Sequence, residues 1–335
     1  MPLRLTIAIP TLNRARLLAR AIDSALAQTS PDVEIVVSDN ASTDETPAVL
    51  QPYEKCGVRI FQQPQTISAA RNGEFLIRQA RGEFFVGLSD DDYLEPEFAA
   101  EVLAHFDRHP GLSFVYTGCA VHYENCQVPS MVGPPVELGT DFVAAHYAGK
   151  REISWCACVT RVRDLRELGP QPDDRIIGDM YFWTKLAFRG QVGCVPRVLS
   201  HYILLRPVEQ NDNVSHATPA PLWARECRML ADDVLQRSRT SGVTEQRADQ
   251  LKDDMRRHIA RSTANQFVWT RVRGASLFQA WKWLPACVPY LLLSTDVAAR
   301  LGAALTLPRP ALHHFLINGA RRLSIARGGG VHVIP

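Results

Sequence analysis

The sequence predicts an α/β protein, a mostly parallel sheet flanked by helices, with a helical extension at its C-terminal end. Three observations carry this. Apolar runs alternate with helical periodicities over the first 120 residues, polar clusters recur where those runs end, and a long polar helical pattern follows Pro221. The 335 residues are 46% hydrophobic and 21% charged, with a net charge of +2. Such a chain buries a large core and is unlike disordered or low-complexity sequences.

The elements follow in order. Leu5–Ile9 is a continuous apolar run that stops at Pro10, as a buried parallel strand would. Leu17, Leu18, Ile22, Ala25 and Leu26 then recur at helical spacing, with Asn13 placed to cap that helix. Val33–Val37 reads as a second strand, and Ser42-Thr43-Asp44-Glu45 as a capping box for the next helix. Val58–Phe61 is a third strand. A helix from Ser68 to about Arg81 follows, closed by Gly82. Phe84–Leu88 is a fourth strand running into Ser89-Asp90-Asp91-Asp92. Phe98, Val102, Leu103 and Phe106 form another helical face, and Leu112–Thr117 the next strand. In such sheets ligands sit at the carboxyl ends of the strands. Pro10-Thr11, Ser38-Asp39-Asn40 and Ser89–Asp92 all fall there.

Charge is uneven along the chain. Residues 271–335 carry +7, which leaves −5 on residues 1–270. The basic tail also holds apolar clusters around Phe278, Trp281, Trp283 and Leu284, Tyr290–Leu293, and Leu312–Ile317. Trp and Tyr beside Lys and Arg suit the headgroup region of an anionic membrane surface, which is an expected partner. The segments are short and broken by proline, so the tail would lie on a bilayer and not cross it. The start lacks a signal-peptide pattern, and the eight cysteines show neither CxxC nor regular spacing. A cytoplasmic protein, peripheral on the membrane face, is expected. Cys156 and Cys158 read as buried thiols, not as a metal pair.

Three consecutive carboxylates raise one another's pKa unless they share a cation. Oxygen-only donors suit Mg²⁺ or Mn²⁺. The alternative is a solvated acidic turn ahead of Glu95-Pro96. GxGxxG, GxxxxGK[ST], HExxH and GxSxG are all absent, which argues against dinucleotide oxidoreductases, P-loop proteins, zincins and α/β-hydrolases. The basic tail lacks a recognisable nucleic-acid module, so no nucleic-acid partner is expected.

Four ordered blocks resemble family 2 glycosyltransferases of GT-A fold: Leu5–Arg14, Val36–Asp44, Ala69–Gly73 and Leu88–Pro96. The resemblance covers residues 3–120 strongly and 150–216 more loosely. It implies a GT-A catalytic domain over 1–216, with a nucleotide-binding half (1–120) and an acceptor-binding half (121–216), and an extension over 217–335. It implies that Pro10, Thr11, Asn13, Asp39, Asn40, Arg71 and Asp90 line the nucleotide pocket, Asp39 meeting a uracil or thymine base. Asp91 and Asp92 would ligate Mn²⁺ or Mg²⁺, with His216 as a further ligand and His201 a weaker one. Ser89 stands where the family often has Asp. Asp179, in Ile177–Trp183, matches the base that deprotonates the acceptor. The implied activity is inverting transfer from a UDP or dTDP sugar to a saccharide or lipid-linked saccharide. A nucleotidyltransferase and an inactive nucleotide-sugar-binding module are the alternatives.

Overall fold

The computed structural model describes residues 3–123, 126–170, 177–204, 220–272, 276, 278–279, 281–282 and 295–327. Two compact units divide the chain. The first holds residues 1–122, 129–142 and 152–204; the second holds 123–128, 143–151 and 205–335. The short segments 123–128 and 143–151 thus group with the C-terminal helices and not with the sheet unit, as a division at residue 216 would have them.

In the first unit β1 (Leu5–Thr11), β2 (Val33–Asp39), β3 (Arg59–Gln62) and β4 (Phe84–Gly87) form the parallel half of the sheet. The order of strands is β3-β2-β1-β4-β9-β6-β10-β5, with β5 (Tyr93–Leu94), β6 (Leu112–Tyr123), β9 (Cys158–Arg161) and β10 (Gln191–Ile203). β9 lies between β4 and β6 and runs antiparallel to both, while β10 is parallel to β6. The alternation of the first 120 residues carries no sign of this inserted strand, because its partners lie far away in sequence. The core is made where Leu5, Ile7 and Ile9 of β1 and Val86 of β4 meet Leu18 and Ile22 of α1 (Ala15–Leu26) and Phe98 and Phe106 of α4 (Phe98–Arg108).

Local signals differ from expectation at four places. β1 continues through Pro10 to Thr11. β4 pairs with β1 only as far as Ala8, so beyond that point β1 has one neighbour and tolerates a missing N–H. Asn13 does not cap α1; Arg14 holds that place, with no side-chain cap. Ser42–Glu45 is likewise no capping box, since α2 (Thr46–Glu54) starts beyond it and Glu45 makes no capping bond. Gly82 does not close α3 (Ala69–Gln79), whose C-cap is Ala80. Its role is close approach: a Cβ there would lie 2.8 Å from Leu5 C and Thr6 N. Ser68 does cap α3, accepting from Arg71 N.

The second unit contains α8 (Ala220–Thr240), α9 (Glu245–Val272), α10 (Thr295–Thr306) and α11 (Arg309–Ala326), after α5 (Gly139–Tyr147), α6 (Val162–Leu168) and α7 (Gly178–Ala187) earlier in the chain. Leu230, Val234, Met255, Ile259, Phe267, Leu301, Ala304 and Leu312 are buried in it. Arg271 is buried too; it donates to Ala304 O at 3.1 Å and Leu307 O at 3.4 Å, at the C-terminal end of α10. One of the tail's eight cations therefore serves the interior of this unit. Phe278 and Trp281 are exposed, at 68% and 57%, and the Lys282 ammonium sits 4.5 Å from the Phe278 ring. Trp283, Leu284 and Tyr290–Leu293 lie outside the described residues. No described helix is long and apolar enough to cross a membrane.

Candidate active site

Parallel strands bring chain-distant residues to one rim. Thr11 and Asp39 are register partners at the ends of β1 and β2, and Asn40 N donates to Thr11 O. Leu88 N donates to Ala8 O, which carries the chain after β4 onto the same rim and leads directly into Ser89–Asp92. Thr11, Asp39, Asn13, Asn40, Asp90 and Asp91 thus converge.

Their side chains divide between scaffold and open chemistry. Asn13 takes a left-handed backbone (φ 54°), and its Oδ1 accepts from Thr43 N at 2.8 Å. Asn40 grips Ile67 from both sides, accepting from its N at 2.9 Å and donating to its O at 2.8 Å. Asp39 is buried and accepts from Ser42 N at 3.0 Å. These bonds fix the loop after β2 against the loop after β1. Arg71 is exposed on the first turn of α3, and Pro10 is half-buried.

The three acids are buried, which excludes a solvated acidic turn. Burial, and then the neighbouring Asp91 charge, pushes the Asp90 carboxyl up to about 7. Burial also raises Asp91, against the pull of Arg14. Arg14 Nη1 lies 3.3 Å from Asp91 Oδ2, and both side chains are nearly enclosed. Arg20 Nη2 donates to Asp91 O at 2.6 Å while its guanidinium covers the Tyr93 ring. Asp92 points another way: its Oδ1 accepts from Ile203 N at 2.9 Å, and burial holds it well above the usual carboxylate range. The Thr11 hydroxyl lies beside Asp90 but has no bond of normal geometry among the described residues. His201 spends both ring nitrogens, Nε2 on Glu95 Oε1 and Nδ1 on His122 Nε2, each at 2.8 Å. It is not free to ligate a metal. His216 lies outside the described residues.

Asp179 stands in the first turn of α7, where its Oδ1 accepts from Met180 N at 2.8 Å. It is half-buried, and desolvation pushes its pKa up to about 6. It adjoins Cys158, whose thiol is raised by burial and then by the Asp179 charge. Cys156 is raised by its hydrogen bond with Cys119 and by burial. Among the described residues no three or more His, Cys, Asp or Glu side chains are grouped to hold a metal ion. Sequence reasoning missed Arg14 and Arg20. Both had a faint signal, basic residues beside an otherwise apolar helical face.

Residues 6–127 match the model of glycosyl transferase family 2. The chain is 31% identical over 155 residues to GalNAc(5)-diNAcBac-PP-undecaprenol beta-1,3-glucosyltransferase of Campylobacter jejuni, covering 44% of this chain and 50% of that one. It is 35% identical over 115 residues to chondroitin synthase of Escherichia coli, covering 33% and 16%. The chain therefore spans half or less of the length of these relatives. The crystal structure of S. aureus TarS 1-349 in complex with UDP is similar in fold, with TM-score 0.65 at 19% identity, covering 97% of this chain and 89% of that one. Mannosyltransferase PcManGT from Pyrobaculum calidifontis, in complex with GDP-Man and Mn²⁺, matches with TM-score 0.54 at 20% identity, covering 98% and 88%. With its parallel half-sheet, its acidic rim and this match over residues 6–127, the chain has a GT-A fold and is similar over that segment to glycosyl transferase family 2.

Proposed function

We propose that this chain transfers a sugar from a UDP- or dTDP-type nucleotide sugar to a hydroxyl of a saccharide or lipid-linked saccharide, inverting the anomeric carbon in one displacement. The observation that carries the reading is Asp90–Asp91: two buried carboxyls at the end of β4, raised in pKa, with the Arg14 guanidinium against them. Charge kept at such cost suits a site that awaits a cation or a polar ligand.

The donor set fits a hard divalent ion. It offers the carboxylate oxygens of Asp90 and Asp91 with the unpartnered Thr11 hydroxyl beside them, while the Cys156 thiol is hydrogen-bonded to Asp92. Asp91, helped by Asp90, would hold Mn²⁺ or Mg²⁺; Asp92, committed to Ile203 N, braces the loop. Bound there, the ion would neutralise charge growing on the leaving diphosphate. PcManGT, in complex with GDP-Man and Mn²⁺, supports this choice of metal.

The protein's own groups supply the rest. Asp39 accepts from the N3–H of uracil or thymine and so orients the nucleoside. Asn13 and Asn40 hold the loops that shape its pocket. Asp179, a carboxylate above about pH 6, takes the proton from the acceptor hydroxyl as that oxygen attacks. The acceptor's hydroxyl proton leaves as the new glycosidic bond forms, and the bond to the diphosphate breaks on the opposite face. Residues 271–335 are read as bringing this chemistry to an anionic membrane surface, through the exposed Phe278 and Trp281.

A donor screen tests the reading. With Mn²⁺ present, UDP or dTDP should compete for the site better than CDP, which lacks a proton at N3. Strongest competition by GDP would contradict the role given to Asp39.

A further inference from the structure

We infer that Trp155 and the niche beneath it form the subsite for the transferred sugar, resting on the reading above and assigning that site its carbohydrate contact. Trp155 opens the short 3₁₀ turn Trp155–Ala157 before β9. Its indole lies across Gly87, the last residue of β4. A Cβ at Gly87 would meet the Trp155 Nε1 at 2.0 Å, so only glycine admits the ring there. From the end of that strand the chain continues from Gly87 into Asp90 and Asp91. Phe182 of α7 approaches the indole at a tilt of 33°, with ring centroids 6.3 Å apart. Phe182 and Trp183 stand three and four residues after Asp179 and share its face of the helix.

This placement has a chemical consequence. In a single displacement the group between the leaving diphosphate and the base is the sugar being moved. Trp155 is seated on the strand that leads to the acids, and it faces the helix that carries the base. A half-buried indole offers a flat apolar face to the C–H face of a pyranose, with a polar edge besides.

A second observation points to a ligand. Thr160 and Trp183 are 5% and 4% exposed. Thr160 Oγ1 and Trp183 Nε1 have no hydrogen-bond partner among the described residues. Both border one cavity of about 10 Å³, together with Trp155, Phe182, Gly87 and Cys158. That is room for about one water or one hydroxyl group. Buried polar atoms left unpaired are costly, and a hydroxyl entering the niche would give each a partner. The subsite thus takes a pyranose whose apolar face lies on Trp155 and one of whose hydroxyls reaches Thr160 and Trp183.

The test compares two probes on the full-length chain with Mn²⁺ present: UDP, and whichever of UDP-glucose, UDP-galactose or UDP-GlcNAc binds best. Titration calorimetry reads both affinities in wild type, Trp155→Ala, Trp155→Phe and Thr160→Val. Trp155→Ala should weaken the UDP-sugar about 10-fold while leaving UDP within about two-fold. Thr160→Val, which keeps the shape and removes the hydroxyl, should weaken the UDP-sugar about three- to tenfold. Trp155→Phe should keep most of the affinity and, by keeping a ring on Gly87, the fold. If wild type binds UDP but the variants change UDP and UDP-sugar equally, or neither, the subsite is overturned while the broader reading stands. A wild-type chain that binds no UDP overturns both.

Discussion

At the scale of single residues, the site rests on carboxyls held away from their ordinary ionisation. On the proposed reading, Asp179 is the one whose titration reports directly on catalysis. Its pKa is pushed up to about 6 by burial, and only the carboxylate can accept a proton. kcat/KM should therefore rise with pH through about 6 and level off above it. Asp179→Asn should lower kcat by about 10²–10⁴-fold and keep UDP affinity within a few-fold. It should also lose that acidic limb of the profile. An unchanged limb in the variant would move the base elsewhere. The places of Asp39, Asp90 and Asp91 after strands and of Asp179 at a helix start were legible from the local pattern, whereas the roles proposed for them come from the family resemblance. The contacts of Arg14, Arg20 and Trp155 were not legible. Arg20 meets Asp91 across 71 residues, and Trp155 meets Gly87 from a different strand connection, so no local window contains both partners.

At the scale of elements, apolar runs predicted the strands well, since burial on both faces of a sheet leaves a strong mark in sequence. β1, β2 and β4 begin where their runs begin. The signals of capping type were less faithful. Asn13 and Ser42 are polar residues before helices, yet they bond to each other's loops: Asn13 N donates to Ser42 Oγ at 2.8 Å, and Asn13 Oδ1 accepts from Thr43 N. Residue types that cap helices also knit loops, and only the fold decides between the two uses. Gly82 makes the same point. It looked like a helix stop and is a contact between the chain before β4 and the backbone of β1. Gly82→Ala should cost about 1–3 kcal/mol in urea unfolding, as overpacking against backbone does. A loss of only a few tenths, typical of an exposed C-cap, would restore the capping role. In the helical unit Arg271→Met should cost about 1.5–3 kcal/mol, because the carbonyls of Ala304 and Leu307 lose a charged donor. An Arg271 that served a membrane instead would leave stability in solution unchanged.

At the scale of the whole molecule, the chain divides into two compact units. The first holds the sheet, the acidic rim and Asp179. The second is helical, and α10 and α11 bury Leu301, Ala304 and Leu312 within it. A cut near Arg271 would remove α10 and α11 and expose the buried side of α9. Surface substitutions are the better probe. Full-length protein should sediment with anionic vesicles at low salt and less so at high salt. Phe278→Ser with Trp281→Ser should reduce that binding at an unchanged melting temperature, because both rings are exposed. Equal sedimentation of wild type and variant would remove these rings from any membrane contact. On the proposed reading, the buried acids at the end of β4 hold a cation for a nucleoside diphosphate. Calorimetric titration of UDP into full-length protein, with Mn²⁺ and then with EDTA, tests it most directly. Wild type should bind UDP only with the metal, and Asp91→Asn should lose that metal-dependent binding. UDP binding that is unchanged by EDTA and by Asp91→Asn would contradict the account.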